Sequence, residues 1–103
     1  MTQYYMLKKM TKHETTTLGI YTYDGSGLAS AQSDLDTKVN ADLIDISSQY
    51  PEPEFSTAIN TTDSNCKGVE ITHHRATTTF GLTSVSDIKF ISCCYSIEEH
   101  TNA

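Results

Sequence analysis

The chain has 103 residues, 37% of them hydrophobic, and seven Lys or Arg against thirteen Asp or Glu give it a net charge of −6. That length fits a single domain, residues 1–103, with one modest core. The acidic balance, with no basic cluster larger than Lys8-Lys9, argues against direct nucleic-acid binding, and no apolar run approaches the ~20 residues that span a bilayer.

The first stretch, "MTQYYMLKKM", lacks the basic, apolar, small-residue order of a signal peptide. Three cysteines at no framework spacing read as reduced thiols, which points to a cytoplasmic protein. Asn60-Thr61-Thr62 matches a glycosylation sequon, and in a Thr-rich chain without a secretion signal it is read as chance.

Residues 3–10, "QYYMLKKM", alternate as a strand, with Tyr5 and Leu7 on one face and Tyr4, Met6 and Lys8 on the other. Thr11 to Glu14 form a polar turn, and 15–23, "TTTLGIYTY", completes a hairpin. "DGSG", 24–27, is turn chemistry from which Asp24 or Ser26 can cap a helix. Residues 28–49 then carry the clearest periodicity, with Leu28, Leu35, Val39, Leu43 and Ile46 on one stripe. Asp34, Lys38 and Asp42 predict i,i+4 ion pairs beside it, and a Ser33–Asp36 capping box allows a later helix start. Ile44 points away from the stripe.

"PEPEF" ends the helix. A short strand is predicted over 54–60 and a loop over "TTDSNCKG", 61–68. "VEITHHR", 69–75, places Val69, Ile71, His73 and Arg75 opposite Glu70, Thr72 and His74. "TTTFGLT", "VSD" and "IKFISCCYSI" follow, with "EEH" as a solvated end. The fold class is therefore α+β: about five antiparallel strands, ordered ββα then βββ, with one amphipathic helix on the sheet.

Cys66, His73, His74, Cys93, Cys94, Glu98, Glu99 and His100 have metal-ligand chemistry, but adjacent pairs on a strand face opposite ways and cannot close on one ion. No metal, cofactor or catalytic residue is expected. Strict alternation over 90–97 puts Phe90, Ser92, Cys94 and Ser96 on one face and Ile91, Cys93, Tyr95 and Ile97 on the other. Whether Cys93 or Cys94 lies beside His73 or His74, as an activated thiol requires, stays open. "YDGSGLASAQS" lacks the Walker lysine, and no GxSxG marks a serine nucleophile.

The segment "QYYMLKKM…TTTLGIYTYDGSGLASAQSDLDTKV" resembles small uncharacterised proteins encoded by phages and prophages. The resemblance covers about the first forty residues and carries no diagnostic motif. It implies a bacterial host cytoplasm and an accessory role, anti-CRISPR-like inhibitors that block a host protein among the possibilities.

The expected function is that of a small, acidic, non-enzymatic protein-binding protein whose partner is a host protein, one with a basic nucleic-acid-binding surface included. Its partner-binding residues are expected to be Asp34, Asp42, Asp45 and Ile44. The alternatives are a homo-oligomeric structural protein, such as a homodimer, and a small Cys/His enzyme.

Overall fold

Leu7, Leu35, Val69 and Ile71 are fully buried and Val39 nearly so, which fixes how the helix meets the sheet. The computed structural model describes residues 2–102. Its elements are β1 (Thr2–Met10), β2 (Thr15–Thr22), α1 (Gly27–Gln49), β3 (Phe55–Asp63), β4 (Cys66–Thr79) and β5 (Leu82–Asn102). All strand pairs are antiparallel, in the spatial order β2-β1-β5-β4-β3. The fold is α+β, with one helix on one five-stranded sheet.

The helix stripe behaves as its period requires. Ala31, Leu35 and Val39 are buried against Leu7, Val69, Cys93 and Tyr95, and Leu43 and Ile46 pack on that cluster. Helix α1 leads the chain from β2 at one edge of the sheet to β3 at the other. It begins at Gly27, a position only glycine can fill: a Cβ there would lie 1.7 Å from the Thr22 carbonyl oxygen. No side chain caps this end, and Ser33 lies inside the helix, so the predicted caps and later start do not form. The Lys38 ion pairs are also absent among the described residues, because Asp34, Asp36 and Asp42 reach partners on the sheet instead.

Two further expectations are corrected, and one stretch left unassigned is resolved. The predicted loop at 61–68 is a tight hairpin, with β3 running to Asp63 and β4 starting at Cys66. "TTTFGLT", for which no turn was predicted, forms a further hairpin, turning at Phe80-Gly81, where φ is +53° and +79°. Positive φ at both central residues is what a type I′ turn requires, and its twist matches the flanking strands. "EEH" is ordered strand, with Glu98, Glu99 and His100 opposite Met6, Tyr5 and Tyr4.

Bulges interrupt the ladder at three places. Leu18, Thr62 and Ser92 are the extra residues, read from the register shifts of the β1–β2, β3–β4 and β4–β5 pairs. The Ser92 bulge overturns the strict alternation predicted for 90–97. Phe90 pairs with Ile71 and Cys93 with Val69, so both lie on the helix side, whereas Ile91, opposite Glu70, lies on the open face.

The β4–β5 hairpin outruns the rest of the sheet. Strand β1 ends opposite Cys94 and β3 begins opposite His73, yet β4 and β5 continue as a two-stranded arm to residue 80. At ~3.3 Å per residue, its tip stands roughly 35 Å beyond the end of β1. The molecule measures 67 × 22 × 21 Å, with a radius of gyration of 17.9 Å. A compact chain of this length would have about 13 Å.

Candidate functional site

The arm breaks the usual rule for apolar side chains. Every residue from Arg75 to Ile91 is exposed. Among them, Phe80 is 100% exposed, Leu82 77% and Val85 65%, and Ile88, Phe90 and Ile91 are also largely bare. Leu82, Ile88 and Phe90 share the helix side, while Val85 and Ile91 share the open face, so both faces of the ribbon carry apolar groups. At its base, Tyr50 meets Phe55 and Phe90 edge-on, and Phe55 stacks on His73 at 4.6 Å. These rings anchor the arm to the end of α1. Where β1 stops, a hollow of about 610 Å³ opens between Met10–Lys12 and residues 90–94.

Backbone geometry identifies the free edge. The His74 N–H donates to the Glu54 oxygen at 2.8 Å, so His74 bonds toward β3 and its neighbours His73 and Arg75 bond toward β5. Their partners Ile88 and Ser86 therefore face β4, and the N–H groups of Val85, Asp87 and Lys89 point outward. Beyond Met10 no strand among the described residues meets them.

The residues expected to bind a partner differ in what surrounds them. The Asp34 carboxylate accepts from the Tyr21 hydroxyl at 2.5 Å. Asp42 is turned under the helix, where it accepts from the Tyr95 hydroxyl, from Lys9 Nζ at 3.0 Å and from Cys93 Sγ at 3.5 Å. Burial opposes the Asp42 charge, but the Tyr95 and Lys9 hydrogen bonds outweigh it and hold the carboxyl below the ordinary range. Asp45 and Ile44 are exposed, Ile44 by 74%.

The cysteines divide across the sheet, and neither Cys93 nor Cys94 has a histidine as hydrogen-bond partner. Cys93 faces the helix and Asp42, and burial followed by that carboxylate raises its pKa. Cys94 lies on the open face with its Sγ 3.8 Å from that of Cys66; burial, then this contact, pushes its pKa up to about 11. Neither thiol has the lowered pKa of a nucleophile. Among the described residues, no three His, Cys, Asp or Glu side chains converge as a metal site would require.

Three of the four histidines take carboxylates instead. His73 Nε2 lies 3.1 Å from Glu54 Oε1, and His100 Nε2 lies 2.9 Å from Glu98 Oε2. His74 is different, because both its ring nitrogens are engaged. Nδ1 is 2.7 Å from Asp87 Oδ1 and Nε2 is 3.0 Å from Ser56 Oγ. The strand register, which no local motif encodes, brings these three together.

Comparisons with protein-family models, with curated proteins and with solved structures return no match. Among the described residues, no helix is long and apolar enough to cross a membrane.

Proposed function

We propose that the protein is an accessory protein that acts through protein–protein contact, with the β4–β5 arm as its contact element and a second copy of the chain as the arm's partner. The observation that carries this reading is the bare β5 edge from Leu82 to Ser92, flanked by exposed apolar side chains on both faces. A two-stranded ribbon is marginal alone in water, and an uncovered edge is a template for another strand. Two β5 edges related by a two-fold axis pair antiparallel and give a four-stranded sheet with no new connection.

Charge favours this contact over others. Residues 75–91 hold Arg75 and Lys89 against Asp87, a net of +1; the other 86 residues hold five basic and twelve acidic groups, a net of −7. Contacts between two bodies are repulsive, and contacts between two arms are nearly neutral. The turn adds to the case. Phe80 holds a positive φ that suits Asn or Gly far better than an aromatic, and its ring covers nothing within its own chain. A local rule broken without local gain is expected where a residue serves a contact.

A second reading, capture of a host protein with a basic surface, is supported by exposed Ile44 beside Asp45 on the acidic helix. Light scattering at micromolar concentration separates the two. Self-association gives twice the 11.4 kDa chain mass, and Val85→Pro, which removes an outward N–H from the edge, returns it to the monomer. A strict monomer in the unaltered chain overturns the self-association reading, and loss of binding on Asp45 charge reversal then tests the second.

A further inference from the structure

Ser56 on edge strand β3, His74 on β4 and Asp87 on β5 form a continuous hydrogen-bonded line on the open face of the sheet, the face that α1 does not cover. We infer that this Ser56–His74–Asp87 line is a nucleophilic site for acyl transfer, with small esters as its substrate class.

The order of atoms is the one the chemistry needs. Asp87 Oδ1, 2.7 Å from His74 Nδ1, accepts the Nδ1 proton and so fixes the tautomer. Nε2 is then the basic nitrogen, and Ser56 Oγ lies 3.0 Å from it, within reach for proton transfer. A serine nucleophile, a histidine base and an orienting carboxylate, here the exposed Asp87, are recognised by these roles and distances, not by chain order. Ser56 and His74 are both half-buried, which leaves the hydroxyl reachable while the imidazole is held.

The edge position supplies an electrophilic group. Since Glu54 pairs with His74 through the backbone, Ser56 bonds inward to β4, and the Thr57 N–H points off the open edge of β3. It is the amide directly after the nucleophile, free to donate to an oxyanion. Beside His74, a hollow of about 580 Å³ opens between Pro53 and Glu54 on one side and Arg75, Ala76 and Val85 on the other. It gives the leaving group a place to lie against the base. The shallow, open setting suits a small unhindered acyl group with a good leaving group.

In the first step, Ser56 Oγ bonds to the ester carbonyl carbon as its proton passes to His74 Nε2. The carbon–oxygen bond to the leaving alcohol then breaks, and the alcohol takes that proton. In the second, water adds to the acyl-serine as His74 takes a proton from it. The acid leaves, Ser56 Oγ recovers the proton, and no oxidant or metal is consumed. Ser56 and His74 are the catalytic residues, and Asp87 is a positioning residue.

A fluorophosphonate probe with peptide mapping, together with p-nitrophenyl acetate hydrolysis, tests this on the full chain. Ser56 is expected to carry the probe. Ser56→Ala and His74→Gln should each lower hydrolysis at least about tenfold, with unchanged circular dichroism. Asp87→Asn should keep Ser56 in place, slow its labelling and change the pH profile of the rate, which a purely structural carboxylate would not do. A folded protein whose Ser56 stays unlabelled, or hydrolysis equal in Ser56→Ala, overturns the inference. Should Ser56→Ala unfold, probe mapping on the unaltered chain still decides.

Discussion

The Tyr95 hydroxyl donates to the Asp42 carboxylate, joining the central strand to the helix across 53 positions of sequence. Lys9 adds its Nζ to the same carboxylate and lies over the Tyr95 ring at 5.4 Å. Sheet and helix thus share one polar clasp at the margin of the apolar core.

Removing the hydroxyl tests the clasp. Tyr95→Phe should cost about 1–2 kcal/mol in urea unfolding, while Asp42→Ala should cost more, because it strands both Lys9 and Tyr95. Burial and then the Asp42 contact push the Tyr95 pKa up to about 12. Since that native value exceeds the unfolded one near 10, the contribution is full below pH 10 and fades as pH rises through 12. Asp42 behaves the opposite way. Its native pKa is depressed, so its contribution is full above the unfolded value of about 4 and is lost as pH falls through the native one. Unfolding midpoints measured from pH 7 to pH 2 should therefore fall less steeply for Asp42→Asn.

The thiols should be sluggish but geometrically ready. With the pKa values of Cys93 and Cys94 both raised, alkylation of each by iodoacetamide at pH 7 should lag behind that of a free cysteine peptide. Cys66 and Cys94, with sulfurs 3.8 Å apart, should join on treatment with oxidised glutathione and leave Cys93 as the one free thiol. Mass spectrometry of the digest reads the pairing. A Cys93 cross-link would contradict the division of thiols between the two faces.

Gly27→Ala should destabilise the fold even though alanine is the better helix former by about 1 kcal/mol. The new Cβ would collide with the Thr22 carbonyl, and separating α1 from β2 disturbs the buried Ala31 and Leu35 that follow. A net loss of about 2 kcal/mol or more is expected from thermal unfolding. Ser30→Ala, on an exposed position of the same helix, should change little.

Phe80→Asn should stabilise the isolated chain slightly, by up to about 1 kcal/mol, since Asn-Gly is the preferred pair for two positive φ values. The same substitution should weaken self-association. Opposite signs in monomer unfolding and dimer dissociation would separate the ring's cost from its use.

Much of the fold was legible because hydrophobic spacing encodes it. The stripe from Leu28 to Ile46 fixed the helix and the face it buries, and the alternation of Tyr5 and Leu7 against Tyr4, Met6 and Lys8 fixed the first strand and its two faces. The Phe80-Gly81 turn was obscured because Phe80 is an uncommon residue at positive φ. The Ser92 bulge has no sequence signature, and it alone places Phe90 with Cys93. Asp34 and Asp42 were expected to pair with Lys38 because the helix wheel omits the sheet beneath, where Tyr21, Tyr95 and Lys9 lie. The Ser56–His74–Asp87 line was hidden for another reason. It depends on how three strands register, and Ser56 and Asp87 lie 31 residues apart with no shared motif.

The single extra residue at Ser92 has a consequence for how such a molecule can vary. It sets the phase between body and arm. Paired in a regular ladder instead of bulged out, it would turn the arm over, sending Phe90 and Ile88 to the open face and Val85 and Ile91 to the helix side; deleting it should leave every facing as it is, with Ile91 opposite Glu70 and Phe90 opposite Ile71. Adding one residue to each strand at the tip would leave the existing faces untouched and extend the reach by ~3.3 Å. Length is thus adjustable without cost to the body, whereas the side the arm presents depends on Ser92 staying out of the ladder.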